Sequence, residues 1–198
     1  MLKAPRAGYV KTRLAAGIGS AGALDAYRKL VETQMRALPK DWSTLIAFAP
    51  SDAEEEMRQW LGPSPGYFAQ CEGDLGRRLD RAAQDLGRPL LFLGGDCPQL
   101  TTSRLHEAAA ALATHDVVIW PALDGGYCLL GLQGVCPEIF EGISWGKGTV
   151  FRETLERVPA NLRVRVMEPP LEDVDDLPSW ERALASGCMH TPQESNPT

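Results

Sequence analysis

The chain has 198 residues, 44% of them hydrophobic and 23% charged, which is the make-up of one globular domain large enough to bury a real core. No apolar run approaches the roughly 20 residues of a membrane span, and no signal-peptide pattern opens the chain. A net charge of −6 disfavours nucleic acid as a partner, and five cysteines without a CxxC pair argue against a disulfide framework or zinc ribbon and suit a cytoplasmic location.

The charge is unevenly spread. Lys3, Arg6, Lys11 and Arg13 all precede the first acid, Asp25, and a cationic segment in an acidic chain points to an anionic ligand. Residues 3–14, with Pro5 and Gly8 among the cations, read as a loop whose N–H groups, Lys11 and Arg13 can cradle phosphates. A solvated basic terminus is the plain alternative. The GxxxxGK[ST] spacing of a phosphate-binding P-loop is absent. Only Met1 and Leu2 stand where an α/β fold places its first strand. That strand is expected to be truncated, with Met1 an internal strand residue.

Ser20 is expected to cap a helix from Ala21 to Leu38, ended by Pro39. A strand over Thr44–Ala49 follows, then a short helix capped by Asp52 and running through Trp60, then a strand from Tyr67 to Gln70. The segment Gln70-Cys71-Glu72-Gly73-Asp74-Leu75-Gly76 enters a helix to Leu86. Gly73 and Gly76 permit close backbone approach, and a helix N-terminus favours anions, although capping by Asp74 explains the pattern as well.

The central stretch is Leu90-Leu91-Phe92-Leu93-Gly94-Gly95-Asp96-Cys97-Pro98. Its apolar run predicts a strand buried on both faces, broken by two glycines and a proline. Asp96 is thereby held at the carboxyl end of a central strand, where open α/β sheets bind ligands, unless it merely caps the next helix. A helix from Thr101 or Thr102 to Thr114, a strand over Asp116–Pro121 and a returning strand over Cys128–Leu132 follow. The turn between those strands places Asp124 at a strand end, though Asp-Gly-Gly is also an ordinary hairpin turn. A helix over Trp145–Val158, a strand over Arg163–Met167 and a helix over Pro178–Ser186 complete the pattern. The acid run Glu172–Asp176 before the last helix reads first as a solvated face. Residues 1–188 are expected to form one domain and 189–198 a disordered tail.

His106, His115 and His190 lack partners at metal-ligand spacing and read as surface or capping residues. Any metal site therefore uses carboxylates, whose hard oxygens suit Mg²⁺ or Mn²⁺. No Ser/His/Asp or Cys/His set for nucleophilic catalysis stands out.

In order, the blocks Lys3-Ala4-Pro5-x-x-Gly8-x-Val10-Lys11-Thr12-Arg13-Leu14, Gln70-x-x-Gly73-Asp74-Leu75-Gly76, Gly94-Gly95-Asp96-Cys97-Pro98-x-Leu100, Asp116-Val117-Val118, Pro121-Ala122-x-Asp124-Gly125-Gly126-Tyr127, Trp145 and Asp173-Val174-Asp175 resemble the glycosyltransferase-like family called radical-SAM/selenodomain-associated transferase 1. The chain is more distantly similar to 2-phospholactate and molybdopterin guanylyltransferases. The resemblance implies a GT-A, or nucleotide-diphospho-sugar transferase, fold: an α/β/α sandwich on a mostly parallel sheet. It further implies that Gly8, Lys11 and Arg13 belong to the phosphate loop and that Gln70, Gly73, Asp74 and Gly76 lie near the nucleotide base. Asp96 and Asp175 would hold the metal, and Asp124 would serve the acceptor side or the metal. Cys128 stands where relatives often carry an aromatic residue, and Asp176 where a Thr is expected.

Three functions follow as expectations. The first is a metal-dependent nucleotidyltransferase that moves an NMP unit onto a small phosphorylated or acidic acceptor and releases pyrophosphate, with Lys11, Arg13 and Asp124 catalytic. The second is a glycosyltransferase using a nucleotide-sugar. The third is a non-catalytic nucleotide-binding module, against which the set of acids argues.

Overall fold

Short apolar runs bounded by Gly, Pro and Asp become seven strands, and the longer amphipathic stretches become six helices, in the computed structural model, which describes residues 1–189. The strands are β1 (Leu2–Lys3), β2 (Leu45–Ala49), β3 (Gly66–Ala69), β4 (Leu90–Leu93), β5 (Val117–Pro121), β6 (Tyr127–Leu132) and β7 (Val164–Val166). The helices are α1 (Thr12–Ala37), α2 (Glu54–Leu61), α3 (Leu75–Asp85), α4 (Thr102–Leu112), α5 (Val150–Glu156) and α6 (Leu177–Ala185). One ladder runs β1-β2-β3 and is parallel throughout; the other runs β4-β6-β5-β7, with β6 antiparallel to both of its neighbours and β7 parallel to β5. The reversed β6 brings its first residue, Tyr127, to the edge where β4 and β5 end.

The side chains of β5 and β6 alternate between two apolar layers, as the period of two in a strand requires. Val118, Trp120 and Leu129 pack with Leu105, Ala108 and Leu112 of α4, whereas Val117, Ile119, Leu130 and Leu132 pack with Leu79 and Ala83 of α3 and with a 3₁₀ turn at Pro137–Phe140. Helices α1 and α2 cover β1 and β2 on the α4 side through Tyr27, Val31 and Met57. The result is the α/β/α sandwich on a mainly parallel sheet.

Several boundaries differ from the sequence reading, for local reasons. Helix α1 starts at Thr12 and is broken at Gly19 (φ 74°, ψ 162°), so the helix expected after Ser20 is its second segment. Asp52 does not cap α2; its carboxylate faces Arg6 at 3.7 Å, and Ala53 holds the cap position with no side-chain bond. The helix expected from Trp145 begins only at Val150, because Gly146 adopts a positive φ (79°) and Gly148 packs against Asp124 O at 3.0 Å from a Cβ position. His190 and the tail at 190–198 lie outside the described residues.

Strand β1 spans Leu2–Lys3. Ladder pairing joins β1 to β2 only at Leu2–Phe48 and Lys3–Ala49. Among the described residues β4 pairs with β6 alone, and the Met1 ammonium reaches across to donate to Leu93 O at 2.8 Å. A cavity of about 580 Å³ separates Leu45–Ala47 from Leu90–Leu93. The run Leu90–Leu93 is therefore half-buried, not buried on both faces as its composition predicts.

Candidate active site

Lys11 forms the entrance to α1. It is the one non-glycine residue among those described with a positive φ (46°, ψ 49°), a left-handed conformation that costs a side-chain-bearing residue about 1–2 kcal/mol. What holds it is visible. Its side chain is 7% exposed, and Nζ lies 3.0 Å from Asp96 Oδ2 and 2.7 Å from Asp175 Oδ1. Burial alone would lower the ammonium's pKa, but the Asp96 and Asp175 carboxylates outweigh it, and the net shift is upward. Two residues on, Arg13 Nη1 approaches the other oxygen of Asp175 at 3.4 Å from a largely exposed position.

Backbone geometry brings the two acids together. After β4, Gly94 lies so close to Asp96 that a Cβ there would stand 2.6 Å from Oδ1. The Asp96 carbonyl accepts from Val174 N at 2.9 Å, which draws the Asp173–Asp175 segment over the end of β4. Asp176 then caps α6 by exchanging hydrogen bonds with Ser179, so it is a capping residue here. The run 172–176 is thus split in role: Asp173 and Asp175 line the cleft and Asp176 starts a helix. Burial first, and then the carboxylates of Asp124, Asp96 and Asp175, push the Asp173 carboxyl up to about 6.

The facing wall comes from two interlocked glycine turns. Asp124 Oδ1 accepts from Gly126 N at 2.8 Å, and Gly125 sits against the Gly148 backbone with no room for a Cβ. Phe151 N donates to Gly125 O at 2.8 Å, which locks the Asp124–Tyr127 turn to the first turn of α5. Asp124, Tyr127, Trp145 and Lys147 line a cleft of about 520 Å³ opposite Lys11, Arg13, Asp96 and Asp175. Contact with the Cys97 thiol, together with burial, pushes the Cys128 thiol well up, away from thiolate chemistry.

Of the residues expected to bind nucleotide, Lys11 and Arg13 reach this cleft, and Gly8, Gln70, Gly73, Asp74 and Gly76 are not among its lining. Gln70 Nε2 donates to Leu2 O and Ala47 O, so its amide joins β1 to β2. Asp74 caps α3, accepting from Arg77 N at 2.9 Å. Gly76 is small for packing, since a Cβ there would meet Trp145 Nε1 at 2.7 Å and Phe140 O at 2.8 Å. Sequence reasoning overlooked Lys147, and it read Asp173 mainly as solvated charge. The signal for Lys147 was its place between two glycines, where a side chain on a flexible turn can be aimed.

Among the described residues no three His, Cys, Asp or Glu side chains stand close enough to enclose a metal ion by themselves. Asp96 and Asp175, already bridged by an ammonium, offer two carboxylates. That donor set fits Mg²⁺ or Mn²⁺, which take one or two carboxylates and complete their shell with substrate phosphates and water.

The fold matches that of a solved structure provisionally named a nucleotide-diphospho-sugar transferase. The chain is 35% identical over 88% of its length to a crystal structure from Desulfovibrio desulfuricans G20, provisionally named a nucleotide-diphospho-sugar transferase, with a TM-score of 0.81 and 81% of that chain covered. Two more distant structures share the fold. These are 4-diphosphocytidyl-2C-methyl-D-erythritol synthase from Anaerococcus prevotii DSM 20548 (12% identity, TM-score 0.60, 93% of each chain covered) and Rv0371c from Mycobacterium tuberculosis H37Rv (16%, 0.58, 93% of this chain and 95% of that one). No curated protein matches. The model of the family described as uncharacterized protein conserved in bacteria (DUF2064) matches residues 33–147, and the chain belongs to that family.

Proposed function

We propose that the protein is a metal-dependent nucleotidyltransferase that moves an NMP unit from an NTP onto a small phosphorylated or acidic acceptor, releasing pyrophosphate. One observation carries the reading: two cations from the start of α1 converge on two carboxylates at the end of β4 and before α6, all in one cleft. Phosphoryl chemistry needs alignment and charge stabilisation more than covalent help, and such a set supplies both. The name of the 35% identical Desulfovibrio relative, a provisional nucleotide-diphospho-sugar transferase, supports a nucleotide-containing substrate.

In this reading Asp96 and Asp175 would hold Mg²⁺ or Mn²⁺, which when bound would supply charge neutralisation to the phosphates. Lys11 offers a point charge and Arg13 its planar fork to the β- and γ-phosphates. An acceptor oxygen attacks the α-phosphorus, the bond to the pyrophosphate oxygen breaks, and Lys11 and Arg13 stabilise the charge that develops on the leaving group. Asp124, beside Tyr127 and Trp145, faces the acceptor.

The test pairs a pyrophosphate-release assay over the four NTPs and phosphorylated small-acid acceptors with thermal shifts in the presence of Mg²⁺ or Mn²⁺. Ligand at a hundred times its Kd should stabilise the protein by about 2.7 kcal/mol. Asp96→Asn should lose the metal-dependent part. A second reading, sugar transfer from a nucleotide-sugar, is favoured by the name of the Desulfovibrio relative. Sugar transfer without pyrophosphate release would replace the first reading with the second.

A further inference from the structure

Four cations line the cleft, and three of them are already engaged within the fold. Lys11 and Arg13 meet the carboxylates of Asp96 and Asp175, and the Lys3 ammonium stands 5.5 Å over the Tyr9 ring. Lys147 is the fourth. It is exposed, it lies across the cleft from Lys11 and Arg13, and among the described residues it enters no ion pair. A lysine on a surface is ordinarily left to solvent on a free loop. This one is on a loop that is tied.

Lys147 N donates to Ser144 O at 3.1 Å and Lys147 O accepts from Val150 N at 3.3 Å, so both of its main-chain groups are used. Glu153 of α5 then fastens the two ends of the loop. One carboxylate oxygen accepts from Ser144 N at 2.7 Å, and the other accepts from the Thr149 hydroxyl at 2.7 Å. Those bonds, the Thr149 hydroxyl's first, hold the Glu153 carboxyl below its ordinary range, so the tie stays ionised. Asp124 shares this wall without neutralising Lys147. Its carboxylate folds back to its own turn, where Oδ1 accepts from Gly126 N at 2.8 Å. The loop therefore brings a cation to the cleft with its charge unmatched.

We propose that Lys147 selects the acceptor by pairing with an oxyanion, carboxylate or phosphate, that the acceptor carries apart from its attacking oxygen, and that Glu153 is the positioning residue that holds the loop for it. The assignment rests on the transferase reading of the cleft. An ammonium suits either anion, because it acts as a point charge and does not demand the bidentate geometry of a guanidinium. With Lys11 and Arg13 on the donor's phosphates and Lys147 on the opposite wall, an acceptor held by its own anion has one end fixed and the other free to attack. A loop ordered in advance also spares the pair part of the entropy of forming.

The experiment uses three probes on one three-carbon skeleton, glycerol 3-phosphate, glycerate and glycerol, added to the full chain with Mg²⁺, with and without NTP. Acetylation of Lys147 by an N-hydroxysuccinimide ester is followed by peptide mass spectrometry, with exposed Lys40 as the internal standard. An anionic probe at about ten times its Kd should slow acetylation of Lys147 about tenfold relative to Lys40, and glycerol should not. The stronger of the two anionic probes tells phosphate from carboxylate. Lys147→Ala should weaken that probe about tenfold, the loss of one charge-assisted bond. Glu153→Ala, which frees both loop ends, should weaken it too, and Glu153→Gln, which keeps one acceptor oxygen, should weaken it less. Equal acetylation under all three probes, or undiminished anion affinity in Lys147→Ala, would overturn the proposal, and undiminished affinity in Glu153→Ala would strike Glu153 from it. Thermal shifts with NTP keep the two readings apart. Stabilisation by NTP with Lys147 unprotected defeats this inference alone, whereas protection of Lys147 with no response to NTP defeats the nucleotidyltransferase reading alone.

Discussion

Lys11 occupies the place that the proposed reading gives to a divalent metal ion. Its ammonium neutralises Asp96 and Asp175, and those contacts hold a backbone conformation that is otherwise unfavourable. In Lys11→Met the two carboxylates would lose their shared cation, with only the exposed Arg13 left beside Asp175. Because both acids are over a third exposed or close to it, solvent screens much of that loss, and we expect about 1–3 kcal/mol of destabilisation without divalent metal. Mg²⁺ or Mn²⁺ should restore most of it, bind the variant more tightly than the wild type, and fail to rescue turnover. Isothermal titration of metal into both proteins checks the order of affinities; tighter binding to the wild type would defeat the competition argument.

A second residue-scale expectation concerns Met1. Burial lowers its ammonium from the ordinary 8.0 to about 6, while Asp96 acts weakly in the opposite direction. Between those values the unfolded chain binds a proton that the folded chain has released, so stability rises with pH through that window. The difference corresponds to about 3 kcal/mol, fully present above pH 8 and lost below pH 6. Denaturant unfolding from pH 5.5 to 8.5 should show the rise, and Nα-acetylation should remove it.

At the scale of elements, α3 and the Trp145 loop are tied by the absence of a side chain at Gly76. Substitution by Ala gains up to about 1 kcal/mol in helix propensity but drives a Cβ into a backbone carbonyl and the Trp145 indole, and overpacking typically costs about 1–3 kcal/mol. We expect Gly76→Ala to lower Tm. Unchanged Tm with weakened nucleotide binding would instead return Gly76 to the ligand. The helix and strand periods of this chain were readable because buried faces repeat at fixed intervals: β5 and β6 are apolar throughout, and α3 follows Asp74 as its cap. The candidate site was readable in part. Asp96, Asp124, Lys11 and Arg13 stand at punctuation points, after strands or in a Gly/Pro loop, where chemistry is exposed. Asp173 was hidden in a charge run whose members diverge only once Val174 N bonds to Asp96 O, a tertiary contact that no local pattern encodes. The half-burial of β4 was equally invisible, because composition reports what a strand can bury and not whether its neighbour is there.

On the scale of the whole molecule, the site is assembled from the two ends of the described chain upon its middle. The family model matches 33–147, yet Lys11, Arg13, Asp173 and Asp175 lie outside that span. Helix α6 also rests on α1, where Gly17 leaves just enough space for Leu177. A ligand that bridges Asp96 and Asp175 must therefore reduce local opening of α6, since the open form loses that ligand. Amide exchange over Leu177–Ala185 should slow with NTP and Mg²⁺ in wild type and stay unchanged in Asp96→Asn.

The bond from Val174 N to Asp96 O has a mechanical counterpart. A force applied between the first strand and the last helix is carried through the loop to Lys11, its contacts with Asp96 and Asp175, and the α6 leader in series, before it reaches the β5–β6 hairpin. In an optical trap those polar links should rupture first, as a small early extension ahead of the main unfolding event. Its threshold should rise when a bound nucleotide fastens the same carboxylates, so that the cleft would serve as the protein's own clasp.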